Sequence, residues 1–302
     1  MDLLTGPRAL RRWTLANLVA NMVIVWTGAL VRLTKSGLGC PTWPQCSADS
    51  YVPHPEAEWH AYIEFGNRLL TFVLIAVALA TAITAFRTTS HRRLRVLSIV
   101  VGLGIGLQGV VGGLTVLTQL NPWVVGLHLV LSVALIIACV TMVHDAGERK
   151  PVAAPRRVRL GSRIVFWGSL VMMYLGTVVT GAGPHSGDGS AQRNGFDLSE
   201  VARLHSLALW VTLAVTVWLV FAARGVPAVR RATLAVIGVA VLQGGVGYAQ
   251  YLNHLPLELV FAHMVGTTLY TVAISHLLLT TGRPESQVSS GSTAAARNTI
   301  AR

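Results

Sequence analysis

The sequence predicts an all-α integral membrane protein whose eight transmembrane helices form two pseudo-symmetric parallel four-helix bundles. Three observations carry that expectation: eight apolar runs of bilayer-spanning length, cations gathered on one side of them, and a glutamine–glycine–histidine pattern that occurs twice. Of 302 residues, 53% are apolar and 12% charged, about half the roughly 25% charged residues of soluble domains. So few charges cannot cover a soluble globule, and the apolar content, with a mean hydropathy of +0.58, excludes disorder and fibrous repeats. The net charge of +12 raises nucleic acid as a partner, but the placement of the cations excludes it and points to a lipid bilayer.

The runs lie at about 13–33, 64–86, 96–118, 124–144, 164–183, 203–223, 232–252 and 258–280, and a run of about 20 residues crosses a hydrocarbon core of about 30 Å. The first is too long for a cleaved signal peptide and runs on into Arg32 and a Gly/Pro loop. Residues 1–147 hold four spans, 148–163 form a basic linker with Pro151 and Pro155, and 164–281 hold four more. The Ser/Ala-rich stretch 282–302 reads as a disordered cytoplasmic tail. Nineteen of the 24 cations fall on the side of the two termini, and Arg32, Lys35, Arg68, Arg193 and Arg203 fall opposite. The positive-inside rule then predicts a multi-pass plasma-membrane protein with both termini cytoplasmic.

The two halves match at an offset of 135. Leu107-Gln108-Gly109 aligns with Leu242-Gln243-Gly244, and without a gap the frame pairs Gly112 with Gly247 and His128 with His263. Thr27-Gly28-Ala29 resembles Thr180-Gly181-Ala182, and Asn67 falls opposite His205. Four spans per half start both halves from the same side, which makes the repeats parallel.

Ionisable groups within a bilayer are costly and point to function. His128, His205 and His263 begin the fourth, sixth and eighth spans at similar depth. Imidazoles at one depth on different helices suit axial haem ligation; the competing reading is hydrogen bonding between helices. Zinc fits less well, because no cysteine or carboxylate cluster completes a tetrahedron in the second half. The other histidines read as solvated helix-end or loop residues, except His276, which reads as packed within the last span. Glu64, Asn67 and Arg68 share one helical face. Glu64 is either the partner of Arg68 or a carboxylate beside a cofactor. Arg32, Arg68 and Arg203 lie at a level where guanidinium forks can hold haem propionates. Cys40 and Cys46 flank Pro-Thr-Trp-Pro-Gln outside the reducing compartment, where a disulfide persists. Cys139 reads as a small packed residue.

The run from Thr27 to Pro41 followed by Trp43-Pro44-Gln45-Cys46 resembles the first outer loop of haem A synthases. So do Glu64…Arg68, the stretch from Leu107 to Gly126-Leu127-His128, Arg203-Leu204-His205 and Phe261-Ala262-His263. The likeness spans about residues 13–281 in order. It implies a membrane oxidoreductase that converts haem O, delivered by haem O synthase, to haem A, oxidising a methyl group to a formyl group by two hydroxylations. It further implies that His205 and His263 ligate a haem b cofactor, and that His128 and Glu64 serve the haem O site and its chemistry. One departure stands out: where the family has a histidine before the span-two arginine, this chain has Asn67, and an amide oxygen is a poor iron ligand. His60 lies seven residues earlier, about 10.5 Å along a helix, too far to take the place of that ligand without moving the haem. A duplicated b-type cytochrome that only passes electrons is the alternative from another class. The sequence does not indicate the electron donor.

Overall fold

The computed structural model describes residues 3–282; the tail from 283 onward lies outside the described residues. Eight long helices carry the chain: α1 (Pro7–Leu33), α2 (Trp59–Thr88), α3 (Arg92–Leu117), α4 (Pro122–Ala146), α5 (Arg156–Ala182), α6 (Leu198–Ala222), α7 (Pro227–Leu252) and α8 (Leu257–Thr280). Each is long and apolar enough to cross a membrane. All exceed the about 20 residues a span needs, and every helix starts ahead of the apolar run it contains. The largest difference is at α5, which begins at Arg156, so the basic end of the 148–163 segment forms its first turns.

Local chemistry sets the helix starts. Proline opens α1, α4 and α7, where its missing N–H has no helical partner to lose. Asn121 caps α4 by accepting from Trp123 N at 3.0 Å. Asp197 caps α6 by accepting from Glu200 N at 3.0 Å, and the Ser199 hydroxyl together with that amide holds its carboxyl below the ordinary aspartate value.

Consecutive helices pack together within each half, and α1 closes on α4 as α5 closes on α8. The halves meet where α8 touches α1 and α4, and where α4 touches α5. Each half has its own core. Leu18, Met22, Leu74, Val101, Ile105 and Ile136 fill the first, and Val158, Val165, Leu219, Val236, Ile274 and Leu277 the second. Large apolar side chains such as Phe72, Leu103, Trp210 and Leu242 point outward, as a lipid-facing surface requires. Cys139 is wholly buried, its Sγ 3.9 Å from Asn17 Oδ1. On the side of the termini, a two-residue parallel bridge joins β1 (Val152–Ala153) to β2 (Thr281–Gly282) and straps the linker to the end of α8.

Candidate functional site

At the opposite end, a cavity of about 470 Å³ opens between α1, α2, α3 and α4, a volume typical of cofactor pockets. Glu64, Asn67, Arg32 and His128 all line it. The cavity is not confined to the first four helices: Thr177 and Thr180 of α5, Gly187 of the following loop and Met264 of α8 also contribute. Of these only Thr180 carried a sequence signal, as part of the Thr180-Gly181-Ala182 repeat, and nothing marked it for this cavity.

The first outer loop closes over this cavity. Cys40 and Cys46 are joined in a disulfide, both are buried, and Trp43 and Pro44 between them line the cavity. The loop lies flush on α2, because Gly39 leaves no room for a Cβ against the backbone of His60 and Ala61. Glu64 and Arg68 clamp it. Glu64 Oε2 accepts from Cys40 N at 2.8 Å, and Oε1 accepts from Arg68 Nε at 3.2 Å. The terminal nitrogens of Arg68 donate to the carbonyls of Cys40, Thr42 and Gln45 at 2.9–3.1 Å. The ion pair is therefore formed, and its carboxylate also faces the cavity. Arg68, expected among the propionate-holding residues, has all of its donors on Glu64 and the loop, which leaves none for a ligand.

Arg32 joins the halves. It donates to the carbonyls of His185 and, at 2.9 Å, Thr180, while Gly37 N donates to Gly187 O at 2.9 Å. His185, expected to be solvated, hydrogen-bonds through Nε2 to Leu255 O at 2.8 Å. Arg203 is exposed at the outer end of α6 and does not line the cavity.

The repeated glutamines do the same work in both halves. Gln108 Nε2 donates to His128 O at 3.1 Å, and Gln243 Nε2 donates to His263 O at 2.9 Å. Glycine lies beside each imidazole: an added Cβ would stand 3.5 Å from His128 Cε1 at Gly112 and 3.3 Å from His263 Cε1 at Gly247. Beyond this the halves diverge. His205 and His263 face each other with ring centroids 6.5 Å apart. Metal–imidazole bonds are about 2.0 Å and a ring nitrogen lies about 1.1 Å from its centroid, so two axial imidazoles hold their centroids about 6 Å apart. His205 Nδ1 donates to Met172 O at 2.9 Å; because a carbonyl only accepts, that proton fixes the tautomer and leaves the Nε2 lone pair free. The pair thus fits bis-imidazole haem. In the first half Asn67 lines the same cavity as His128, and its Oδ1 accepts from the Thr27 hydroxyl at 2.7 Å. His128 Nδ1 is buried without a hydrogen-bond partner. His60 bonds Ser36 Oγ at 3.0 Å and is not among the cavity-lining residues.

Eight apolar helices, a close imidazole pair in the second half and a third imidazole on a cofactor-sized cavity define a helical protein able to span a membrane, with histidines held inside it. The chain belongs to the COX15-CtaA family of cytochrome oxidase assembly proteins, which it matches over residues 11–275. It is 28% identical to the Heme A synthase of Azorhizobium caulinodans, with 89% of this chain and 93% of the relative covered. It is 30% identical to that of Bradyrhizobium diazoefficiens, with 88% and 90% covered. The Heme A synthase of Geobacillus kaustophilus is 33% identical over 44% of this chain and 46% of its own length.

The clamp gives a direct test. Lysine keeps the charge of Arg68 but cannot donate along a fork, so Arg68→Lys is expected to free the carbonyls of Cys40, Thr42 and Gln45. Amide hydrogen exchange over residues 38–50 should then quicken by about tenfold, for a loss of about 1.4 kcal/mol of local stability. Unchanged exchange would show that the loop is held by the disulfide alone.

Proposed function

We propose that the protein is a haem A synthase that oxidises one methyl group of haem O to a formyl group by two successive hydroxylations, with a haem b in the C-terminal half as redox cofactor. Family membership places the chain in haem A biosynthesis for cytochrome oxidase, as an oxidoreductase. The observation that supports the finer assignment is the contrast between halves: His205 faces His263 in one, whereas Asn67 and His128 share a cavity with Glu64 in the other.

Bound between His205 and His263, haem b supplies one-electron redox chemistry. Met172 O orients His205, and Gly176 and Gly247 let both imidazoles sit close to the neighbouring helices. In the N-terminal half, His128 is the single strong axial ligand for the iron of haem O, which suits a substrate that has to leave after turnover. Asn67 occupies the other side as a weak partner held by Thr27. Glu64 sets a fixed acceptor in the cavity wall, placed to stabilise positive charge that develops at the porphyrin edge. Arg32, on the cavity, and Arg203, on the rim of α6, are the guanidinium groups assigned to propionates. The first loop covers the site and excludes water. Haem O reaches this site from haem O synthase through the bilayer.

The halves are proposed to be a duplication related by an axis along the membrane normal, with residues 1–147 as the substrate half and 164–281 as the haem b half. The matched glutamine–carbonyl bonds support it, as does the pairing of the α8–α1 contact with an α4–α5 contact. The cation distribution supports a plasma-membrane topology with both termini cytoplasmic.

Co-expression with a haem O-producing enzyme, followed by mass analysis of the extracted haems, tests the activity: haem A is expected from the native chain. Breaking a buried ion pair by truncation costs about 3–5 kcal/mol, so Glu64→Gln, which keeps the shape, is the informative change. It is expected to lower conversion by about 10²-fold with haem b retained. Unchanged haem O beside stoichiometric haem b in the native chain would instead assign the protein as a duplicated b-type cytochrome.

Ligand assignments have a spectroscopic readout. His205→Ala and His263→Ala should each remove the low-spin haem b signal, and Gly176→Ala should weaken retention, since its Cβ would stand 3.1 Å from His205 Cε1. Asn67→His should convert bound haem O to a low-spin species and slow turnover. A five-coordinate spectrum with native turnover would remove Asn67 from the iron. For topology, alkaline phosphatase fused after Ser47 or Gly189 should be active, and after Thr89 or Lys150 inactive; the reverse pattern inverts the orientation.

A further inference from the structure

A second cavity, of about 510 Å³, opens at the end of the protein where the termini lie. His128 and His144 are 16 residues apart on α4, about 24 Å along the helix, so this cavity is separate from the haem-type site. Its walls come from α4, the linker, α7 and α8, and they bring together Arg149, Lys150, Arg231, His144 and His276. The sequence reading made His144 a solvated helix-end residue and His276 a packed one. Instead, both line the cavity, and His144 is 7% exposed with its Nδ1 lacking a hydrogen-bond partner. The nearest carboxylate, Asp145, does not line the cavity; it lies 3.5 Å from Arg93 Nε and 3.8 Å from His144 Nδ1.

Three cations converging from the linker and the first turn of α7 repel one another. An anion placed among them turns that repulsion into attraction. Arg and Lys together are the usual donors to phosphate oxygens. We propose that this cavity binds the phosphate group of an anionic phospholipid. Its position at the helix ends, on the face where the cations gather, puts it at headgroup level of the leaflet read as cytoplasmic, where basic pockets between transmembrane helices hold acidic headgroups. That placement rests on the topology proposed above; the convergence of basic groups does not. The volume exceeds what one inorganic phosphate fills, and the small side chains of Ala228, Ala232 and Ala235 on α7 give its remainder an apolar wall. The strap formed by β1 and β2 holds Val152 at its edge.

The test is native mass spectrometry of the full-length protein in detergent, titrated with phosphatidylglycerol, phosphatidylcholine or inorganic phosphate. The native chain is expected to retain phosphatidylglycerol at least about tenfold better than phosphatidylcholine. The combined change Arg149→Ala, Lys150→Ala and Arg231→Ala is expected to weaken that retention by about a hundredfold. Arg230→Ala, one residue away and outside the cavity, should leave it unaltered. Equal retention of the two lipids by the native chain overturns the proposal without recourse to any variant. Native-level retention by a triple variant that elutes as a single species also overturns it. Stabilisation by inorganic phosphate but not by phosphatidylglycerol would overturn the lipid assignment and leave a soluble phosphate as the ligand. Because haem b absorbance reports on the other end of the molecule, a failed haem assignment would leave this result readable.

Discussion

Water is absent from the hydrocarbon core, and most of this structure follows from that constraint. Every backbone N–H and C=O in the slab has to be satisfied within the chain, so the eight apolar runs become helices irrespective of their individual propensities. The same constraint makes each buried polar side chain informative. Asn17, Asn21 and Thr81 are buried but satisfy one another, Asn17 donating to Thr81 and Asn21 to Asn17. Gln108 and Gln243 reach across to a neighbouring backbone carbonyl. Among the described residues that stay unsatisfied, His128 and His263 each keep a buried ring nitrogen without a partner, as does His144 at the other end of α4. Polar groups left open in a medium that penalises them by several kcal/mol are positioned for something other than packing.

The outer face is organised by two arginines doing different jobs. Arg68, paired with Glu64, gathers the carbonyls of the disulfide loop into a lid. Arg32 reaches from α1 to the carbonyls of Thr180 and His185 and so couples the lid side of one half to the loop of the other. Gly187, with φ of +102°, allows its carbonyl to meet Gly37 N at that junction. The cavity wall is consequently shared, and a change in the second half at Thr177 or Met264 would be felt where the substrate is proposed to sit. Covering a reactive site with a lid held by an ion pair on the site's own helix ties closure to the geometry of Glu64.

Much of this was legible in the sequence because it depends on residue type and spacing along one helix. The eight spans, the Cys40–Cys46 bond and the Glu64–Arg68 pair all belong to that class. That His205 and His263 belong together followed from their depth and from the resemblance, whereas their edge-to-face arrangement, with ring planes 74° apart, was not legible. What stayed hidden depends on contacts between distant segments. Nothing in the sequence says that Thr27 meets Asn67, that Gly176 rather than the conspicuous glycine runs lies beside His205, or that α5 and α8 help to wall the first cavity. The hydrogen bonds of Arg68 stayed hidden for the same reason: the carbonyls that occupy its donors belong to an irregular loop whose path no periodicity predicts. His144 and His276 come together only because α4 and α8 pack along the junction of the halves.

The repeat, as proposed, accounts for one half suited to a permanent cofactor and the other suited to a substrate. Elements common to both, the glutamine, the glycine and the histidine it faces, fix one imidazole per half on the fourth helix of each bundle. At the matching position of the second helix stands His205 in one half and Asn67 in the other. Two imidazoles hold iron strongly from both faces, whereas one imidazole and an amide leave it weakly held on one side. Glu64 has no counterpart in the second half, so the carboxylate and the weak ligand occur together, one turn apart on α2. In the proposed reading, duplication supplies the frame, and the divergence at these two positions of one helix distinguishes a half suited to retaining haem from a half suited to releasing it.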